Sequence, residues 1–279
     1  MTSLLGRTVA LVVLTALLTS PAACSTGSEK SVQGAGEDAR QVPAPHETTA
    51  APERGIVAVG ETKAKTSSRT AWDYAALGDS LAAGVGARRG YVDRFAEHLR
   101  NDTGVRIRVV SLGRSGQTSS QLLYAVRNDA AMRRFIGGAE VVTFNIGIND
   151  LGHAGRAYES GTCGGAHNEA CLHKAVEEVE ENWDAIIDEM LGLRSTDEAI
   201  IRTVGLGYTP RVDGVFEPYL AEVNRHIAAS AADNGIPYAE VRLGGDGMSS
   251  DGVHPNDEGY KLIADKLRKL GYEPLGPRR

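Results

Sequence analysis

The sequence predicts an α/β fold in which helices cover both faces of a parallel sheet. Three observations carry that prediction. Five short apolar or β-branched runs recur along the chain, and four of them stop at a glycine. Apolar patterns of helical period fill intervals between them. The alternating stretch is about 200 residues long, which suits a single core. Strands that alternate with helices make βαβ units, and such units build parallel sheets.

The runs are Tyr74–Leu77 before Gly78, Arg106–Leu112 before Gly113, Glu140–Ile146 before Gly147, Ala199–Val204 before Gly205, and Ile236–Val241. The clearest helix places Leu172, Ala175, Val176, Val179, Trp183, Ile186, Ile187, Met190 and Leu191 on one face. Their spacings of three and four match the helical repeat. The last helix follows Pro255-Asn256, carries Asp257 and Glu258 in its first turn, and turns Leu262, Ile263, Leu267 and Leu270 inward. In open sheets of this kind, sites form beyond the C-terminal strand ends. The chain has no internal repeat.

Composition bounds the function. With 279 residues, 42% apolar and 24% charged, the chain reads as soluble and globular. A net charge of −6 gives no reason to expect a nucleic-acid partner. The pairs Arg88-Arg89 and Arg133-Arg134 read as solvated surface. At the N-terminus, Arg7 precedes the apolar run Val9–Leu18 and then Pro21-Ala22-Ala23-Cys24. One positive charge, a short apolar core and small residues make an export signal, too short to span a bilayer comfortably. Residues 25–68 are rich in Ser, Thr, Gly, Glu, Ala and Pro, which predicts a disordered tether. The expected organisation is a leader over 1–24, the tether over 25–68, a folded domain over 69–273 and a tail over 274–279. Pro21–Cys24 resembles a bacterial lipobox, with proline where leucine is usual. That resemblance implies lipidation of Cys24 and attachment to the outer face of the membrane; plain secretion is the alternative. A monomer is expected.

Cys163 and Cys171 remain. An oxidising exterior favours a disulfide between them. Zinc is the competing reading, because His167 and His173 interleave with the two cysteines.

Four short stretches carry chemistry. In Gly78-Asp79-Ser80-Leu81, a serine in a strand-to-helix turn can expose its hydroxyl; the plainer reading is a helix cap. In Gly113-Arg114-Ser115-Gly116-Gln117-Thr118, a glycine lets backbone approach a ligand closely and present an N–H; the plainer reading is a tight turn. In Gly147-Ile148-Asn149-Asp150, an asparagine amide can donate to an oxyanion; the plainer reading is a turn residue. In Asp251-Gly252-Val253-His254-Pro255-Asn256, a carboxylate three residues before a histidine can hold the ring Nδ1–H. Nε2 is then free to take a proton.

Together these stretches resemble, in order and spacing, the four blocks of the SGNH or GDSL hydrolase family. The resemblance covers Ala71 to Leu270. Gly-Asp-Ser-Leu-Ala-Ala-Gly and Asp-Gly-Val-His-Pro-Asn are similar to its bacterial lysophospholipase, thioesterase and arylesterase branch. The resemblance implies a flavodoxin-like three-layer α/β/α sandwich with a five-stranded parallel sheet of order 2-1-3-4-5. It implies no metal or organic cofactor. It implies Ser80 as nucleophile, His254 as base and Asp251 as the acid that orients it. The oxyanion hole would comprise the Ser80 and Gly116 N–H groups and the Asn149 amide.

The expected activity is hydrolysis of a small-molecule acyl ester or lipid through an acyl-serine. Competing readings are a carbohydrate O-acetylesterase, an acyltransferase using the same triad, and a flavodoxin-like binding domain. The last lacks a Gly-x-x-x-x-Gly-Lys phosphate loop. Asp79 and Asp150 are expected to brace their loops. The long, glycine-rich, disulfide-closed segment Leu151–Cys171 is expected to border the pocket and shape substrate choice; the plainer reading is a decorative surface loop.

Overall fold

The computed structural model describes residues 71–207 and 214–276. The leader with Cys24 and the 25–68 tether lie outside the described residues. In chain order the elements are β1 (Ala71–Gly78), α1 (Tyr91–Thr103), β2 (Arg106–Ser111), α2 (Ser119–Asn128), α3 (Ala130–Gly138) and β3 (Val141–Asn145). There follow α4 (Ile148–Glu159), α5 (Ala170–Leu193), β4 (Ile200–Val204), α6 (Glu217–Asp233), β5 (Tyr238–Ala239) and α7 (Asp257–Lys269). All strand pairs are parallel, in the order β2-β1-β3-β4-β5. The fold is therefore the α/β sandwich that the alternation of strands and helices implies.

The two-residue period of a strand divides the core. Ala75 and Leu77 of β1 join Val142 and Phe144 of β3 and Ile201 of β4 on one face, beneath α2 to α6. Tyr74 and Ala76, with Val141 and Ile200, face the other way, against α1 and α7. The sheet has helices on both sides, so central strands read as nearly continuous apolar runs.

The long helix α5 buries Leu172, Ala175, Val176, Val179, Trp183, Ile186, Ile187 and Met190, as its spacing predicts. Trp183 packs its ring against Phe144 at 4.8 Å and donates Nε1–H to the Ile146 carbonyl at 2.9 Å. That contact pins the end of β3, where the site begins.

Three expectations need correction. The fifth strand is two residues long, not six; at its start Pro237 has no N–H to donate to the ladder. In α7 the inward stripe is Tyr260, Ile263, Ala264 and Leu267, while Leu262 is exposed. The stripe follows spacings of three, one and three, and Leu262 falls outside it. Finally, Leu151–Glu159 is not loop but most of α4. Its glycines suggested a loop, yet Gly155 serves packing: a Cβ there would collide with the Phe216 ring.

Candidate active site

Ser80 sits directly past the end of β1 and is nearly buried. No helix starts there. The chain makes a tight turn in which Ala83 N–H donates to the Asp79 carbonyl at 3.0 Å and Val85 N–H to the Ser80 carbonyl at 3.0 Å. Capping of the Leu81 N–H falls to Asp79 Oδ1, at 2.9 Å, and not to the serine. Among the described residues Ser80 Oγ forms no hydrogen bond, and the N–H groups of Ser80 and Gly116 find no acceptor. Tyr260 of α7 clamps the turn by donating to the Val85 carbonyl at 2.7 Å.

Beneath the serine lies a buried polar floor that sequence reasoning missed. Asp79 Oδ1 also accepts from Asn145 Nδ2 at 2.8 Å, and Asn145 Oδ1 accepts from the Tyr91 hydroxyl at 3.4 Å. Asn145 stands opposite Gly78 in the β1–β3 register, and φ is +136° at Gly78. A Cβ at Gly78 would strike the Asn145 carbonyl, so glycine is what lets the two strand ends close up. An alignment of polar residues at adjacent strand ends was the available signal.

Asp79 is fully buried, and its Oδ2 has no partner among the described residues. Desolvation pushes its carboxyl up to about 6, against the lowering effect of its two hydrogen bonds. The folded state therefore holds this proton more tightly than the unfolded chain does. The stabilising contribution of the neutral acid is complete below about pH 4. It is lost as pH rises through about 6. Asp79→Asn should remove that dependence, worth on the order of 3 kcal/mol. Urea unfolding at two pH values, one on each side of the transition, checks it. Equal pH sensitivity in the variant and the parent would reject the assignment.

His254 and Asp251 belong to a loop fixed from several sides. Asp251 Oδ2 lies 2.7 Å from His254 Nδ1. The other oxygen, Oδ1, accepts from Ser249 Oγ at 2.7 Å, Val253 N–H at 2.8 Å and His254 N–H at 2.9 Å. The His254 backbone and side-chain hydrogen bonds lead the effects that hold the Asp251 carboxyl far below the usual carboxylate range. The loop is tied down by Ser249 N–H to the His254 carbonyl at 2.8 Å. Asn256 adds bonds from Nδ2 to the Asp246 and Met248 carbonyls, while its Oδ1 caps α7. Gly86, with φ of +95°, packs against this loop: a Cβ there would lie 2.7 Å from His254 Cβ. Neither Ser249 nor Gly86 was among the expected site residues.

Ser80 and His254 border one small cleft, together with Asp79, Leu81, Asn145, Ile148, Leu206, Gly207, Val241, Leu243, Val253 and Pro255. Gly116, with φ of +77°, does not line that cleft and borders a separate depression with Arg114, Gln117 and Tyr124. Asn149 stands in the first turn of α4 and donates from Nδ2 to the Gln117 carbonyl at 2.9 Å, tying this turn to the Gly116 loop. Its second amide hydrogen remains for another acceptor. Asp150 accepts from Ser119 N–H at 3.0 Å and Ser119 Oγ at 2.7 Å, bracing the start of α2.

Cys163 and Cys171 are joined as a disulfide, with Cα atoms 5.4 Å apart. A bonded sulfur is not a thiolate ligand, so the zinc reading falls. No residue of Leu151–Cys171 lines the Ser80–His254 cleft, contrary to expectation. Tyr158 of α4 packs on Phe216 and Tyr219 of α6 donates to Glu169, which directs this segment toward α6.

Residues 76–262 match the GDSL-like lipase/acylhydrolase family. The chain belongs to that family. It is accordingly a carboxylic ester hydrolase of the serine type. Among curated relatives, a spore germination lipase, LipC of Bacillus licheniformis, is 25% identical over 213 residues, 72% of this chain and 97% of that one. The uncharacterised protein YpmR of Bacillus subtilis is 30% identical over 216 residues, 69% of this chain and 78% of that one. The lipase Lip_vut3 from a goat rumen metagenome shares the structure at a TM-score of 0.66 and 25% identity, covering 73% of this chain and 99% of that one. An acetylxylan esterase, Axe2 of Geobacillus stearothermophilus, shares the fold at a TM-score of 0.55 and 20% identity, covering 75% and 97%.

Proposed function

We propose that this GDSL hydrolase cleaves carboxylic esters with Ser80 as nucleophile, His254 as general base and acid, and Asp251 as the carboxylate that orients the ring. The observation that carries the reading is that Ser80 and His254 share one cleft while Asp251 Oδ2 engages Nδ1 at 2.7 Å. That bond puts the ring proton on Nδ1 and leaves Nε2 as a lone-pair base. Nε2 takes the Ser80 proton as Oγ attacks the carbonyl carbon, and the C=O pair moves onto oxygen. The N–H groups of Ser80 and Gly116, free of partners among the described residues, and the spare Asn149 hydrogen receive that oxyanion. Collapse expels the alcohol, which takes the proton from His254. Water, deprotonated by the same nitrogen, then releases the acid and restores Ser80. The similarity to two proteins named as lipases supports carboxylic esters as the substrate class.

The leader signals support an enzyme exported and lipidated at Cys24, working at the outer membrane face. The Cys163–Cys171 disulfide fits an oxidising compartment. One measurement tests both parts. Intact mass of the full chain recovered from membranes should show a cleaved leader and an acylated cysteine. After an organophosphate it should gain one adduct, lost in Ser80→Ala. An adduct that persists in Ser80→Ala would reject the nucleophile, and an unprocessed leader would reject the anchor.

A further inference from the structure

We infer that the cleft beside Ser80 is the acyl pocket and that it takes short acyl groups, up to about four heavy atoms, with Gly207 keeping it open. This inference rests on the hydrolase reading of Ser80 and His254.

The walls are mostly apolar, and the cleft opens to solvent. Ile148, Leu206, Val241 and Leu243 line the cleft, with Asn145 and Asp79 among the groups that bound it. The free space is about 50 Å³. At about 10–15 Å³ for each water-sized group, it seats on the order of four heavy atoms. With its carbonyl oxygen turned to the oxyanion donors, an acetyl to butyryl group places two to four carbons in that volume, whereas an octanoyl chain would leave half its carbons outside.

Two of these walls are not positioned to yield. Leu206 and Val241 are buried, one in each of the two cores that flank the sheet. The Leu206 backbone is held at both polar groups by one buried side chain. Its N–H donates to Asn224 Oδ1 at 2.8 Å, and its carbonyl accepts from Asn224 Nδ2 at 3.0 Å. A longer chain could not be housed by displacing this wall without breaking a buried amide pair.

Gly207 follows Leu206 directly. A Cβ there would lie 3.7 Å from Val241 Cγ1 and 4.0 Å from Leu243 Cδ1, at ordinary contact distance. Both contacts are with cleft walls, so an added methyl group would occupy space that substrate uses. Its φ lies outside the left-handed range, so alanine brings no backbone strain. Gly207→Ala is therefore a fold-compatible way to shorten the pocket, and Val241→Ala is the complementary way to enlarge it.

The experiment is kcat/KM of the full-length enzyme on p-nitrophenyl acetate, butyrate, hexanoate and octanoate, each below its aggregation limit. Organophosphate labelling of Ser80 is run alongside. The parent should gain about fourfold per methylene while the chain is still entering the cleft. It should then lose tenfold or more by octanoate. Gly207→Ala should lower butyrate relative to acetate by about tenfold or more. Val241→Ala should move the optimum toward longer chains. If Ser80 labels but kcat/KM climbs through octanoate, or Gly207→Ala leaves the profile unchanged, the pocket assignment is overturned and the hydrolase reading stands. If Ser80 neither labels nor turns over any ester, both fall.

Discussion

Ser80→Ala and His254→Ala should each lower kcat on an activated ester by about 10⁴- to 10⁶-fold, and the double variant should be no worse than either single one. The non-additivity is the informative part. The base has no task without the hydroxyl whose proton it takes, and the hydroxyl is a weak nucleophile without the base. The residual rate would come from the oxyanion donors and from binding, which neither change removes. Stability should hardly move in Ser80→Ala, because Ser80 Oγ makes no hydrogen bond among the described residues. Single-turnover kinetics of all three variants, beside thermal unfolding, measure this directly. If the double variant multiplied the two losses, the groups would be acting independently and no shared proton transfer would exist.

Asp251→Asn should lower kcat by about 10⁴-fold while the loop keeps its shape. An asparagine can present its carbonyl oxygen to Ser249, Val253 N–H and His254 N–H, the three donors that Oδ1 now accepts. Its NH₂ would then face His254 Nδ1 in place of the carboxylate oxygen. That reverses the ring tautomer: Nδ1 becomes the acceptor, and Nε2 carries the hydrogen and cannot take another from Ser80. NMR of the ring nitrogens, together with kcat, would detect the reversal. Retained activity in a variant with the reversed tautomer would remove Asp251 from the mechanism. In the parent, the four donors around Asp251 hold its carboxyl far below the range where ordinary carboxylates titrate. The acid limb of kcat/KM therefore does not belong to this carboxylate.

How much of the site was legible depended on how local each contact is. Asp251 and His254 are three residues apart, so their pairing follows from one turn of chain. Ser249 lies two residues before the aspartate, and its hydroxyl could have been suspected for the same reason. Asn145 and Asp79 are 66 positions apart and meet only because β1 and β3 are neighbours in register. Gly86 packs against His254 across an even longer separation. The helical part of Leu151–Cys171 was hidden because glycine reads as a breaker locally. The aromatic Phe216 that needs Gly155 to be small belongs to a distant part of the chain.

By itself the sequence determined the alternation of strands and helices and the family, and it pointed to Ser80, His254 and Asp251 as the residues proposed to carry the chemistry. Those properties reside in periodicity and in short motifs, which depend only on near neighbours. Tertiary structure alone decided that a buried acid lies beneath the serine. It also decided that the long disulfide-closed segment leaves the cleft alone, and that Leu206, Gly207, Val241 and Leu243 limit the room beside Ser80. Burial and free volume are properties of surfaces brought together from remote parts of the chain, and no local pattern encodes how closely those surfaces will pack.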